Sequence, residues 1–130
     1  MSVVNFRWRE GWPARTVAVL TAAYSIAITV RPEVLAKPCR LTDPDGSVPP
    51  AVAELTRSIG TRDATLAAAL AVAPAGYPMD LLTAARVLSD GADAAWFARL
   101  VPPGQRARIA GVAAGWAALE LLAAVASHRR

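Results

Sequence analysis

The segment "ARVLSDGADAAWF", Ala85–Phe97, decides how this chain folds because it places charged residues inside an apolar run. Arg86, Asp90 and Asp93 follow one another at spacings of four and three residues, and Phe97 comes four residues later. At about 100° per residue these spacings return to one helix face, within an arc of about 60°. The other faces carry mostly alanine, leucine and valine. The pattern predicts a helix whose charged face is turned towards other helices.

The composition favours a lipid bilayer as the surroundings of this helix. The chain of 130 residues is 55% hydrophobic and 18% charged, and its mean hydropathy is +0.34. We expect residues 1–130 to form a single integral membrane domain. The net charge of +4 does not indicate nucleic-acid binding, because cations such as Arg9, Arg15 and Arg106 flank the apolar runs, as residues that contact lipid headgroups do.

Four apolar segments are separated by proline- and glycine-rich breaks, and we place the helices at about 12–30, 50–73, 79–101 and 106–127, with a loop at 31–49. Each is near the ~20 residues that cross a bilayer. The prediction is an all-α fold, a bundle of four transmembrane helices. The alternative is a water-soluble, alanine-rich bundle, but the first and fourth segments are apolar all round.

The predicted location is the cell inner membrane, crossed several times, with both termini on the cytoplasmic side. Arginine and lysine are balanced between the two sides, so the positive-inside rule does not decide the orientation. Gly111 and Gly115 have the spacing that lets helices approach closely. We expect them to pack within the bundle, with a homo-oligomer contact as the alternative.

Cys39 is the only cysteine and His128 the only histidine. A disulfide within the chain, a Cys/His metal site and a Ser-His-Asp triad are therefore not expected. We predict no metal and no cofactor.

Arg86 and Asp90, four residues apart, can form one salt bridge within the third helix, and Asp93 then lacks a cation. The second segment supplies one. In "RSIGTRD", Arg62 and Asp63 lie about half-way along, and Gly60 allows a neighbouring helix to come close. If the second and third helices are antiparallel neighbours, these residues reach the depth of the charged stripe. Charged groups in lipid are costly, so they should meet inside the bundle.

The other helices add polar and aromatic groups to the same interior. We predict two sets of site residues: catalytic Asp63, Asp90, Asp93, Arg62, Arg86 and Glu120, and substrate-binding Tyr24, Trp96, Phe97 and Trp116.

At "RPEVLAKPC", "RSIGTRD" and "ARVLSDGADAAW" the chain resembles small bacterial four-helix membrane proteins of the DoxX-like kind. The resemblance spans residues from about 17 to 125. It implies the four-helix fold and carries over the arginines and aspartates, Arg62, Asp63, Arg86, Asp90 and Asp93. It implies no defined reaction.

Three functions remain open from the sequence. The first is an enzyme that isomerises, cyclises or opens an epoxide in a lipophilic small molecule, with Asp93 or Glu120 as the acid and Asp63 or Asp90 as the arginine-paired base. The second is a small proton-coupled transporter. The third is a membrane accessory protein in which the cluster is a structural clamp that fixes helix register.

Overall fold

A computed structural model describes residues 9 to 129, with the backbone alone at Leu100. Within these residues the chain is helical and contains no strand. The helices are α1 (Trp12–Val30), α2 (Glu33–Ala36), α3 (Pro50–Val72), α4 (Tyr77–Leu100) and α5 (Pro103–His128). The bounds of the four long helices lie within three residues of those expected from the sequence.

Proline and glycine set where the long helices begin. Each has proline in its first two positions, where the missing N–H would have had no partner within the helix. Gly76, just before α4, has φ 95°, a conformation that side chains disfavour. The chain therefore reverses direction sharply between α3 and α4.

The long helices pack mainly as two pairs, α1 against α3 and α4 against α5, while α3 and α4 contact each other much less. Gly60 explains the closeness of the first pair. A β-carbon there would lie 2.7 Å from the carbonyl oxygen of Ser25 and would overlap the side chain of Thr29. The predicted close approach at Gly60 is thus made by α1, and not by α4.

One end of the bundle is solidly packed. Its apolar core consists of buried residues from α1, α3 and α4 and the turn between the last two, namely Ala14, Ala18, Leu70, Ala71, Ala73 and Met79. Arg15 is buried beside this core, and its Nη1 donates a hydrogen bond of 2.6 Å to the carbonyl oxygen of Ala71. The arginine expected at the lipid headgroups instead satisfies a carbonyl in the last turn of α3.

The outer surface of the bundle is rich in large apolar side chains. They occur on all four long helices and include Leu20 and Ile26 on α1, Leu55 and Val72 on α3, Leu81, Leu88 and Trp96 on α4, and Leu121 and Leu122 on α5. Within the described residues, α1 and α5 are long and apolar enough to cross a membrane. Helix length and hydropathy therefore identify two candidate membrane spans in this part of the chain, fewer than the four predicted from the sequence.

Gly111 and Gly115 lie on the exposed surface of α5. No atom of the described residues comes within 4 Å of a β-carbon built at either position. The expectation that they pack within the bundle is therefore wrong, because α5 turns a different face towards α1 and α4.

Candidate functional site

The centre of the site is a set of ion pairs that joins α3 to α4. Arg62 donates two hydrogen bonds to the carboxylate of Asp93, Nη1 to Oδ1 at 3.2 Å and Nη2 to Oδ2 at 2.6 Å. Its Nε also donates to Oδ1 of Asp63 at 2.9 Å. Such two-pronged arginine–carboxylate pairs are strong and directional. They hold two helices together that otherwise contact each other little.

Arg86 extends the network to α5. Its side chain is 1% exposed, and its Nε donates a hydrogen bond to Oε1 of Glu120. Its Nη1 donates to the backbone carbonyl of Asp63 at 3.2 Å, while Nη2 reaches Oδ2 of Asp90 only at 3.5 Å. The i,i+4 pair expected from the sequence is therefore the long one, and Glu120 is the main partner of Arg86.

Carboxyl groups outnumber guanidinium groups in this network. Arg62 and Arg86 face four acids: Asp63, Asp90, Asp93 and Glu120. If every group were ionised, the network would carry a net charge of about −2. A buried charge without a partner is costly, so this excess requires protons or a cation.

Three carboxyl oxygens in the network accept no hydrogen bond from any described residue. One is Oδ2 of Asp63, because Arg62 and Arg86 contact only Oδ1 of that carboxylate. Oε2 of Glu120 is buried without a partner, on a residue that is 3% exposed. The Oδ1 atom of Asp90, a residue 5% exposed, receives no donor, since the contact with Arg86 is made by Oδ2. Three acids are thus only partly satisfied, and Glu120 and Asp90 are more deeply buried than Asp63.

A cavity of about 290 Å³ adjoins the network. Its walls come from every helix, with Tyr24, Ile28, Leu35, Cys39, Leu41, Val52, Leu55, Thr56, Ile59, Asp63, Asp90, Asp93, Phe97, Val101, Ile109, Val112, Ala113 and Trp116. On α3 the other lining residues precede Asp63, while Phe97 on α4 and Val101 just after α4 follow Asp93. The cavity therefore extends from the carboxyl groups towards the α4–α5 turn.

The cavity walls are mostly apolar and partly aromatic. The rings of Tyr24 and Trp116 lie 5.5 Å apart, centre to centre, with an angle of 33° between their planes. Phe97 contributes a third ring. Three carboxyl groups in an otherwise apolar space are typical of a binding site with few, well-placed polar groups.

The structure brings together most of the predicted residues. Asp63, Asp90, Asp93, Tyr24, Phe97 and Trp116 line the cavity, and Arg62, Arg86 and Glu120 lie behind it in the ion-pair network. The prediction of a buried Arg–Asp network is confirmed. Trp96 is an exception, since it is 59% exposed and does not line the cavity. One residue along a helix is a rotation of about 100°, which carries Trp96 away from the face of Phe97.

Cys39 and Thr56 were not expected at the site from the sequence. Both are buried and line the cavity. Cys39 lies just after α2, in a loop that is hydrogen bonded to Gln105 and Arg108 of α5. Burial raises the pKa of the Cys39 thiol, and the guanidinium of Arg108 offsets part of this effect. The only local signal was the apolar "VLA" that precedes "KPC".

His128 is hydrogen bonded at the opposite end of the bundle, with Nε2 2.8 Å from Oδ1 of Asp80. The neighbouring Ser127 hydroxyl donates to the carbonyl oxygen of Ala123 and accepts from the backbone N–H of Ala14. The serine proton is thus directed to its own helix. Although serine, histidine and aspartate residues occur close together here, these contacts do not form a catalytic triad.

The chain matches no known protein family, and neither a curated protein nor a solved structure is significantly similar to it. Among the described residues, no group of three or more histidine, cysteine, aspartate or glutamate side chains is arranged to hold a metal ion. Functional inference therefore depends on the geometry of the cavity and the charged network.

Proposed function

We propose that this protein is a membrane-embedded acid/base enzyme that acts on a lipophilic small molecule within the four-helix bundle. The observation that carries the proposal is the position of Asp63, Asp90 and Asp93 in the wall of an apolar cavity. An apolar molecule would fill such a space, and the carboxyl groups would exchange protons with it.

The surroundings would be lipid, with all four long helices crossing the membrane. Large apolar side chains are exposed on each of these helices, a surface that a monomer in water rarely presents. Arg86 and Asp90 of α4 lie inside, where they pair, and Arg62 of α3 is bound by Asp93 of α4. The first turn of α1 and the last turn of α5 lie at one end, since the backbone N–H of Ala14 contacts the hydroxyl of Ser127. We assign this end to the cytoplasmic side of the inner membrane.

We infer different roles for the carboxyl groups from their contacts. Asp90 is the proposed acid, because it lines the cavity, its Oδ1 accepts no hydrogen bond from a described residue and its Oδ2 has only the 3.5 Å contact with Arg86. Asp93 is the proposed base, because both of its oxygens already accept hydrogen bonds from Arg62. This reverses the roles expected for Asp90 and Asp93 from the sequence. Glu120 does not line the cavity, so we infer that it positions Arg86 rather than touching the substrate.

This arrangement fits isomerisation, cyclisation or epoxide opening. In each, an acid gives a proton to an alkene, an epoxide or a carbonyl group, and a base removes a proton from carbon or from water. Tyr24, Phe97 and Trp116 would hold the apolar part of the substrate. The DoxX-like resemblance is consistent with the proposed fold but adds no reaction.

Proton transfer to and from the substrate can be measured directly. The protein in lipid nanodiscs is incubated in D₂O with a panel of small lipophilic alkenes, epoxides and unsaturated ketones, and mass spectrometry measures isomer formation, ring opening and deuterium uptake. We expect turnover by the wild-type protein and its loss in Asp90→Asn. Asp80→Asn is the matched control, because Asp80 lies on the same helix but outside the cavity. Full turnover by a folded Asp90→Asn protein would exclude the assigned acid.

A further inference from the structure

The charges around the cavity indicate the class of molecule that it binds. We propose that the cavity takes a small lipophilic cation, a protonated amine with an apolar body, whose N–H group lies against Asp90. The inference rests on the proposed function to the extent that it places the ligand in the same site. It adds a substrate class that an apolar cavity alone does not specify.

No basic side chain lines the cavity among the described residues, whereas three carboxyl groups do. The two arginines of the network direct their donors elsewhere. Arg62 binds Asp93 and Asp63, and Arg86 binds Glu120 and the carbonyl oxygen of Asp63 at its shorter contacts. An anionic ligand would therefore meet carboxyl groups without a cation to receive it, and a cationic ligand would meet the complementary charge.

Asp90 provides the specific contact. It is more than nine-tenths buried and lines the cavity, and its Oδ1 accepts no hydrogen bond from any described residue. Its other oxygen has only the 3.5 Å contact with Arg86. An ammonium N–H in the cavity would supply the missing donor in a charge-assisted hydrogen bond. It would also balance part of the excess of carboxyl groups.

The aromatic walls fit the same ligand. A cation over the face of a tryptophan or tyrosine ring is attracted by the electrons of the ring, and Tyr24 and Trp116 stack side by side in the cavity wall. Aliphatic side chains such as Ile59 and Val112 complete the walls. The volume of about 290 Å³ is at the lower end of the ~300–1,000 Å³ of ligand pockets, which limits the body to about the size of one ring.

Charge is conserved if the amine arrives in its neutral form from the lipid. A protonated Asp90 gives its proton to the amine nitrogen, so that the carboxyl O–H bond breaks and an N–H bond forms. The products are a carboxylate and an ammonium ion in direct contact. The step uses the same proton-donor role that the proposed function assigns to Asp90.

Cys39 offers a direct measurement of occupancy. It is the single cysteine of the chain, it is 1% exposed and it lines the cavity. The rate at which a small maleimide labels Cys39 in nanodiscs is measured with three probes of similar size: N,N-dimethyl-2-phenylethylamine, its neutral carbon analogue 3-methylbutylbenzene, and 3-phenylpropanoate. The Cys39→Ser variant measures the background labelling of other residues.

We expect the amine to protect Cys39 at concentrations about 10- to 100-fold lower than the neutral analogue, the difference that a hydrogen bond to a charged group supplies. The carboxylate should not protect. Asp90→Asn should remove the preference for the amine while the neutral analogue binds as before, and Asp80→Asn should retain it. Asp90→Glu keeps the carboxyl group and should also retain a preference for the amine over the neutral analogue. It is the variant to measure if Asp90→Asn does not fold.

Equal protection by the amine and its neutral analogue would overturn the proposed ligand class, as would an unchanged preference in a folded Asp90→Asn protein. Proton exchange is measured on the same preparations, so the two proposals fail separately. Turnover of neutral compounds without selectivity for the amine would support the proposed enzyme and refute the proposed cationic ligand. Selectivity for the amine without turnover of any compound would support the proposed binding site and refute the proposed enzyme.

Discussion

Replacing Arg86 and Glu120 by methionine, singly and together, tests whether this buried pair acts as a unit. Arg86 is almost fully enclosed and bonds Glu120, while its other contacts with carboxylates are long, 3.5 Å to Asp90 and 4.0 Å to Asp63. Arg86→Met leaves two buried acids without a cation, and breaking a buried ion pair in this way costs about 3–5 kcal/mol of unfolding free energy. Glu120→Met leaves Arg86 with Asp90 and a backbone carbonyl, so about 1–3 kcal/mol is expected.

The double variant should cost less than the sum of the single variants. Once Arg86 is gone, removing Glu120 also removes a buried acid that has lost its partner, and apolar side chains fill the space. We expect a coupling energy of about 2 kcal/mol. The measurement is unfolding of the detergent-solubilised protein by SDS, followed by tryptophan fluorescence.

Arg57 and Glu54 provide the matched control, because they form the same type of pair on the exposed side of α3, with Nη1 and Oε1 2.6 Å apart. Exposed pairs contribute about 0.2–1 kcal/mol, so their cycle should be nearly additive. If the cycle of Arg86 and Glu120 were additive within about 0.5 kcal/mol as well, the two side chains would not be energetically coupled, and the reasoning that this ion pair links α4 to α5 would be refuted.

Three further predictions test the packing and the loop. Gly60→Ala should destabilise the protein by about 1–3 kcal/mol because of overlap with α1, whereas Gly115→Ala should be neutral or stabilising by up to about 1 kcal/mol; equal melting temperatures would contradict the close approach. Arg15→Met should cost about 1–3 kcal/mol and speed hydrogen exchange in the last turn of α3, and unchanged exchange would exclude its capping role. The raised pKa of Cys39 leaves little thiolate at neutral pH, so labelling by maleimide should keep rising above pH ~8.5, where a solvated cysteine begins to level off.

The sequence predicted the helices and the charged interior because both depend on local patterns. Proline at the helix starts and the recurrence of charge at spacings of four and three residues fix where each helix lies and which face is polar. Arg62 was expected to supply the cation that Asp93 lacks on its own helix, and the two residues do pair. Because a charge exposed to an apolar environment is costly, such pairing can be predicted before the tertiary structure is known.

The choice of partners within the charged set depended on the tertiary structure. Arg86 faces three acids, Asp63, Asp90 and Glu120. Periodicity favoured Asp90, which is one turn away on its own helix. The approach of α5 places Glu120 at the guanidinium instead. The small alanine side chains of these helices carry little information about which helix packs against which, since many alanine surfaces fit one another equally well.

Local sequence patterns are sufficient to specify an all-helical chain with an excess of acidic groups on its inward faces, because helix periodicity and the cost of burying charge act within single segments. Tertiary packing alone decided that α1 rather than α4 lies against Gly60, that Trp96 faces outward, and that Cys39 and the three aspartates share a cavity. Those features arise from the relative rotation and spacing of helices distant in the chain. No local pattern encodes such distances, because they result from all the side chains packing at once.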